Sequence, residues 1–399
     1  MTNIAILGFG VVGSGVADLI TKNCAEVTKL GGDEINIKYI LDLRDFPDSP
    51  FASRVVHDYD IIVSDPTVDT VIEVMGGSHP AYEFTVKALK AKKNVITSNK
   101  EVVANFGDEF LALAKENGTS YRFEAAVGGG IPVISPMIAC IGQNKIEEVR
   151  GILNGTTNYI LTKMFSFGDT FESALADAQA RGYAEKNPDA DILGTDAARK
   201  IVILSALASG KLTPVDKIHT EGITKIRKSD VAAAEKIGCS IKLLGRCINT
   251  GAAPYILVAP FMLGADSALS GVTGVYNAVE VVAEPLGNVM FYGKGAGAGA
   301  TASAVVGDLM QTMNLKGAGL PSFEKCDSIK DFSSFVARHY LAFDKAAEKK
   351  LAEVFGKLDF IDSEDAAVIT EELSECEINA KLKSLEDAGF PVLSNIRLL

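Results

Sequence analysis

The stretch that most constrains this chain is its start. Residues 3–20 read NIAILGFGVVGSGVADLI: an apolar run from Ile4 to Leu7, then Gly8-x-Gly10-x-x-Gly13, then a helical pattern. A strand that turns through three glycines into a helix predicts the first βα unit of an open parallel sheet with a dinucleotide at the helix N-terminus. Gly8 makes the tight turn, Gly10 lets the backbone approach a pyrophosphate, and Gly13 lets helix pack on strand. The helix then turns amides and a partial positive charge toward the phosphates. A purely structural tight turn is the alternative.

A second strand is predicted at about 35–43 (INIKYILDL), its end facing the adenosine ribose. An acidic residue there binds the 2′-hydroxyl of NAD, and an arginine accepts the 2′-phosphate of NADP. Asp42 and Arg44 offer both, with Arg44 tilting the choice slightly toward NADP. Strand-like runs follow at 60–63, 70–75 and 94–97, with an amphipathic helix at about 80–92. Gly76-Gly77 and Ser98-Asn99-Lys100 then fall at the carboxyl edge of the sheet, where open α/β folds bind ligands. Gly77, Ser98 and Lys100 are therefore candidate cofactor contacts, and Lys100 can reach a substrate as well.

Residues 119–134 (TSYRFEAAVGGGIPVI) pass from a strand through three glycines, a turn that either points carbonyls at a ligand or serves as a crossover hinge. From 145 the chain alternates as strands, broken by Asn154-Gly155-Thr156-Thr157-Asn158. These small polar residues either line a pocket or form a turn that caps a helix. Residues 180–203 then place Glu185, Asp189, Asp191 and Asp196 ahead of Lys200. A helix from Thr195, with Thr195 as N-cap, stacks Asp196 and Lys200 four apart on one face. Such a pair is either a solvated ion pair or one ammonium among acids, able to bind a polar substrate and move a proton. The acids lack the spacing of a calcium loop. A second glycine-rich stretch, GKGAGAGATAS at 293–303, feeds a helix to about Met313 and packs on a domain or a cofactor, or is a flexible crossover.

The net charge of −12 argues against a nucleic-acid or anionic-membrane binder, so phosphates must be held by local amides and a few cations. The six cysteines are scattered without a C-x-x-C pair, which fits reduced thiols in a cytoplasmic protein. No apolar run is long enough to span a bilayer, and no signal peptide precedes the first strand. The last eighty or so residues read as a separate module after a linker at Pro321–Asp331. Strand 336–343, helix 345–357, strands near 358–361 and 366–371, helix 374–388 and strand 391–398 give a βαββαβ, ferredoxin-like order.

LGFGVVG, EVMGG at 73–77, TSNK at 97–100, EAAVGGGIPVI, GILNGTTNYIL at 151–161, Gly182 to Lys200 and GAGAGATASAV together resemble the homoserine dehydrogenase family over roughly residues 1–315. The resemblance implies α/β architecture in three parts. These are a Rossmann domain at 1–130, with helix 300–315 packing back on it, an α+β substrate and dimerisation domain at 131–320, and an ACT-like module at 333–399. It implies NAD(P)-dependent interconversion of L-homoserine and L-aspartate 4-semialdehyde. Lys200 then resembles the catalytic acid/base, with Asp196 orienting it, Asp191 and Glu185 as substrate ligands, and Lys100 near nicotinamide and substrate. Gly8, Gly10, Val12 and Gly13 hold the dinucleotide, closed over by Gly297. A structural monovalent cation such as Na+ rests on Glu124 and the carbonyls of Val127, Gly129 and Ile131. A homodimer or homotetramer is implied.

The ACT-like module departs from the family pattern, because Phe343-Asp344-Lys345-Ala346-Ala347-Glu348 lacks the glycine expected where a small ligand meets backbone. Assembly rather than threonine feedback is therefore expected of it. Rival readings are another amino-acid dehydrogenase, such as one acting on aspartate, and a non-catalytic nucleotide-sensing protein.

Overall fold

The computed structural model describes residues 1–251, 253–315, 320–326, 328–356 and 358–399. Its first sheet is parallel and six-stranded, in the order Val55–Val56, Ile35–Leu41, Thr2–Leu7, Thr70–Glu73, Asn94–Thr97, Tyr121–Arg122. The strand order reverses beside Thr2–Leu7, so the glycine turn leaves the sheet at the switch point where such folds bind ligands. Both faces are covered, which explains the unbroken apolar run. Ile4 and Ile6 pack under helices Val11–Lys22 and Ala298–Leu315, while Ala5 and Leu7 face helices Ala81–Lys90 and Lys100–Asn117. The late helix lies close on the first: a Cβ on Gly15 would stand 3.3 Å from the Ala298 carbonyl oxygen.

The run at 60–63 is not a strand. It lies in a short helix, Tyr59–Ser64, whose N-cap Asp58 accepts a hydrogen bond from the Asp60 amide, with Tyr59 and Ile62 buried. The edge strand is Val55–Val56 instead. Four apolar residues carry too little period to separate one helical turn from a strand, and the aspartate cap decides it.

The second sheet is mixed and has ten strands. Gly287–Lys294, Tyr276–Glu284, Lys145–Ile152, Cys239–Ile248 and Tyr255–Gly264 run antiparallel in that order. The alternation from 145 stops at Ile152, because Asn154 starts helix Gly155–Phe167. Helix Thr195–Ser209 lies on strand Cys239–Ile248 at Gly245, where a Cβ would stand 3.0 Å from that of Ile201. That contact fixes the height of the helix above the sheet.

The tail is not a detached module. Its strands, in the order Ser394–Leu398, His339–Phe343, Ala366–Ile369, Phe360–Ile361, extend the second sheet through parallel pairing of Phe261 with Arg397 and Met262 with Leu398. The module keeps its own apolar core around Leu341, Phe343, Leu351, Val368 and Ile378. The predicted linker is also partly structured, since Glu324–Lys325 pairs with Lys211–Leu212. Its predicted first helix begins as a 3-10 turn at Lys345–Ala347, capped by Asp344, before helix Glu348–Phe355. No helix among the described residues is long and apolar enough to cross a membrane.

Candidate active site

Helix Thr195–Ser209 begins differently from its sequence expectation. Gly194, at φ +86°, is the N-cap and makes no side-chain cap bond, so Thr195 is already helical. The expected register survives: Asp196 and Lys200 face the same way and are 4% and 8% exposed. Burial of a carboxylate and an ammonium demands partners, and each has them. Lys200 Nζ donates to Asp196 Oδ2 at 2.7 Å and to the Leu153 carbonyl at 2.7 Å. Lys100 Nζ lies 2.7 Å from the other oxygen, Asp196 Oδ1. One carboxylate thus joins a lysine of the first sheet's edge to a lysine of the second sheet's helix.

Asn154 serves both alternatives raised by its cluster. Its Oδ1 accepts from the Thr157 amide at 2.9 Å, capping helix Gly155–Phe167. Its Nδ2 donates to Asp191 Oδ1 at 2.7 Å and to Asp196 Oδ2 at 2.9 Å. Burial pushes the Lys200 ammonium below its ordinary 10.5; Asp196 opposes that and Lys100 adds to it. Burial alone would raise Asp196, but Lys200 and Lys100 outweigh it and hold the carboxyl well below the usual range. Asp191, with fewer cations near, is raised by burial. The arrangement is an ammonium readied to give up its proton beside an acid that stays ionised.

Lys100 is placed by a buried relay. Fully buried Glu73, at the carboxyl end of its strand, accepts from the Met75 amide at 2.8 Å and from Thr97 Oγ1 at 2.6 Å. Thr97 Oγ1 accepts from the Asn99 amide at 2.9 Å, and Asn99 Oδ1 caps the Lys100–Asn117 helix through the Glu101 amide at 3.2 Å. Burial raises Glu73 from 4.5 to about 7. A raised folded-state value means that stability present below the unfolded value is lost as pH rises through the folded one. Between about pH 4.5 and 7 the Glu73→Gln variant should gain on the parent protein by on the order of 3 kcal/mol. Thermal midpoints of the two proteins that ran parallel across that window would contradict it.

A cavity of about 790 Å³ gathers these groups. Val12, Ser98 and Lys100 enter it from the first sheet's edge, and Glu185, Asp191, Asp196 and Lys200 from the second domain. Gly129 and Gly297 line it from the two later glycine loops. Asp189, the fourth acid of the loop, sits exposed in the short helix Asp189–Ile192 and does not line the cavity. Asn154 and Thr156, from the small polar cluster expected either to line a pocket or to cap a helix, line it as well, and so do Tyr183 and Lys294, which were not among the expected site residues. The NGTTN break was the available signal for the first two; nothing local distinguishes Tyr183 or Lys294. A larger cleft, about 1010 Å³, opens behind the helix between Asp108 and Lys217 and contains none of the expected site residues.

The remaining expected cofactor residues, Gly8, Gly10, Gly13, Arg44 and Gly77, lie along the carboxyl edge outside the cavity wall. Gly8 has φ +94°, and a Cβ on Gly13 would stand 2.0 Å from the Gly8 carbonyl oxygen. At Gly10, by contrast, no protein atom lies within 4 Å of where a Cβ would be. That open, uncapped helix start is a cradle of the kind a pyrophosphate fills. Asp42 Oδ2 accepts from the Phe9 amide at 2.8 Å and so pins the glycine turn, while Arg44 Nε and Nη2 each donate to Asp42 at 3.0 Å. The Arg44 hydrogen bonds hold the Asp42 carboxyl well below its usual range.

Around the proposed cation position, Gly128 and Gly129 have φ of +75° and +57°. The Glu124 carboxylate accepts from the amides of Val133, Ile134 and Ser135 at 2.7–2.8 Å. Among the described residues no three His, Cys, Asp or Glu side chains are grouped to hold a metal. Val127, Gly129 and Ile131 are buried in the same turn.

Two family models match the chain: homoserine dehydrogenase over residues 132–310, and the NAD binding domain of homoserine dehydrogenase over residues 8–124. A homoserine dehydrogenase of Synechocystis sp. is 39% identical over 342 residues, 84% of this chain and 78% of the relative. The crystal structure of a homoserine dehydrogenase from Thiobacillus denitrificans superposes with a TM-score of 0.92 at 32% identity, over 100% of this chain and 98% of that one. A mutant hyperthermophilic archaeal homoserine dehydrogenase in complex with NADPH gives a TM-score of 0.68 at 29% identity, over 80% of this chain and 99% of that one.

Proposed function

The chain belongs to the homoserine dehydrogenase family of NAD(P)-dependent oxidoreductases, and from that premise we propose how its residues divide the work on L-homoserine and L-aspartate 4-semialdehyde. The observation that carries the reading is Asp196, which holds Lys100 and Lys200 on its two oxygens inside one cavity shared with the glycine-turn helix. NAD(P)H bound along Gly8, Gly10, Val12, Gly13, Gly77, Ser98 and Gly297 supplies the hydride. Lys200 gives its Nζ proton to the aldehyde oxygen as that oxygen becomes an alkoxide, and takes a proton from the homoserine hydroxyl in reverse. Asp196 keeps both lysines placed. Asp191 and Glu185 meet the substrate ammonium, for which carboxylates are the natural partners. Lys100 adds positive charge where substrate and nicotinamide meet.

The same reading assigns NADP as the preferred cofactor, with Arg44 turning from Asp42 to the 2′-phosphate. It is supported by the exposed Arg44 guanidinium and by the NADPH complex of the archaeal relative. We also propose a monovalent cation such as Na+ on Glu124 and the carbonyls of Val127, Gly129 and Ile131. The 1–130, 131–320 and 333–399 division, an assembly role for the ACT-like tail without threonine feedback, and a cytoplasmic location belong to the same proposal. A homodimer or homotetramer would form through edge strand Gly287–Lys294, which exposes Met290 and Tyr292.

Loss of NADPH absorbance on adding L-aspartate 4-semialdehyde, with and without threonine, tests the reading as a whole. Arg44→Ala should raise KM for NADPH about tenfold and leave KM for NADH within about twofold. Equal effects on the two cofactors would remove Arg44 from 2′-phosphate recognition.

A further inference from the structure

The last strand of the chain meets the segment behind the substrate loop through a buried guanidinium. Arg397, 2% exposed on strand Ser394–Leu398, donates from Nη1 to Glu221 Oε2 at 3.0 Å and from Nη2 to Glu221 Oε1 at 2.9 Å. On its other side it holds Glu375, through Nη2 to Oε2 at 2.9 Å and through Nε to Oε1. Glu221 is the hinge point of this arrangement. His219 Nε2 lies 2.6 Å from its Oε1, and its amide donates to the Val258 carbonyl at 2.8 Å.

Beyond Glu221 the chain is pressed against the acidic loop. A Cβ on Gly222 would stand 2.0 Å from the Ile192 carbonyl oxygen and 2.6 Å from Leu193 Cα. The Ile223 amide donates to that same Ile192 carbonyl at 2.9 Å. The Glu221 carbonyl oxygen lies 3.1 Å from where a Cβ on Gly194, the N-cap of the Lys200 helix, would be. Segment 220–223 therefore supports the short helix that carries Asp191 and the helix start that carries Asp196. With no room for a side chain at Gly222, a shift of Glu221 is passed directly to the acids.

We propose that Arg397 is a positioning residue for amino-acid binding: through Glu221 and Gly222 the C-terminal module holds the 189–196 loop at the height where Asp191 meets the substrate ammonium. This rests on the assignment of Asp191 above. The guanidinium does not line the cavity. Its two arms differ in consequence, because the Glu221 arm leads to the loop, whereas Glu375 begins helix Glu375–Asp387 within the module itself.

The test compares Arg397→Met, Glu221→Gln and Glu375→Gln in the full-length enzyme. Arg397→Met and Glu221→Gln should raise KM for L-aspartate 4-semialdehyde about tenfold, with KM for NADPH and kcat within about threefold. Arg397→Lys should recover part of the loss. Glu375→Gln should leave all three constants within about twofold, whatever it does to the thermal midpoint. If Arg397→Met does not fold, the contrast of Glu221→Gln with Glu375→Gln decides alone. Unchanged aldehyde KM in Glu221→Gln, or an equal rise in Glu375→Gln or in the NADPH KM, overturns the proposal. Failure of the Asp191 assignment shows separately, as an Asp191→Asn variant with unaltered aldehyde KM.

Discussion

Lys200→Ala should lower kcat for aldehyde reduction about a thousandfold while changing KM for NADPH little. The size follows from losing both the proton donor and the positive charge that faces the developing alkoxide. The variant should still fold, because Asp196 keeps Lys100 at 2.7 Å and Asn154 at 2.9 Å as partners. A pH profile makes the assignment sharper. Reduction needs the ammonium, so in the parent enzyme kcat for reduction should fall as pH rises through the lowered Lys200 value, and kcat for homoserine oxidation should rise. Both limbs should vanish in the variant. Near parental turnover in Lys200→Ala would transfer the proton step to another group, with Lys100, on the other oxygen of Asp196, the next candidate.

Gly13→Ala should abolish measurable NADPH binding and cost about 3 kcal/mol or more of stability, since its methyl would meet backbone rather than a yielding side chain. A Cβ there would stand 2.0 Å from the Gly8 carbonyl oxygen, so helix Val11–Lys22 must lift from the turn. Gly10→Ala is the informative partner. Its methyl meets no protein atom within 4 Å, so the thermal midpoint should hold, yet it occupies the space where a pyrophosphate approaches. Cofactor titration by fluorescence, read beside thermal melts, separates the two. A Gly10→Ala protein with unchanged NADPH affinity would place the phosphates elsewhere.

What could be read from the sequence was what depends on short spans. The strand–glycine–helix text at 3–20, the four-residue step from Asp196 to Lys200 and the strand that starts at 145 all express local geometry, and each is present. Features set by distant partners were not readable. Nothing around Lys100 announces that it shares a carboxylate with Lys200, a contact made only when two sheets dock. The tail read as detached because the pairing of Phe261 with Arg397 spans 136 positions and leaves no trace in either strand. The misreadings at 60–63 and Thr195 have smaller causes: an aspartate cap outweighed an apolar run, and a left-handed glycine took the place of a hydroxyl cap.

The carboxylate held in common by the two lysines also ties acid strength to breathing. A widening of the cleft would stretch the Lys100 contact, since that lysine belongs to one wall and Asp196 to the other. Withdrawal of the nearby cation leaves Lys200 holding its proton more firmly. Any parting of the two walls would therefore leave Lys200 the firmer holder of its proton, and their closure the readier donor.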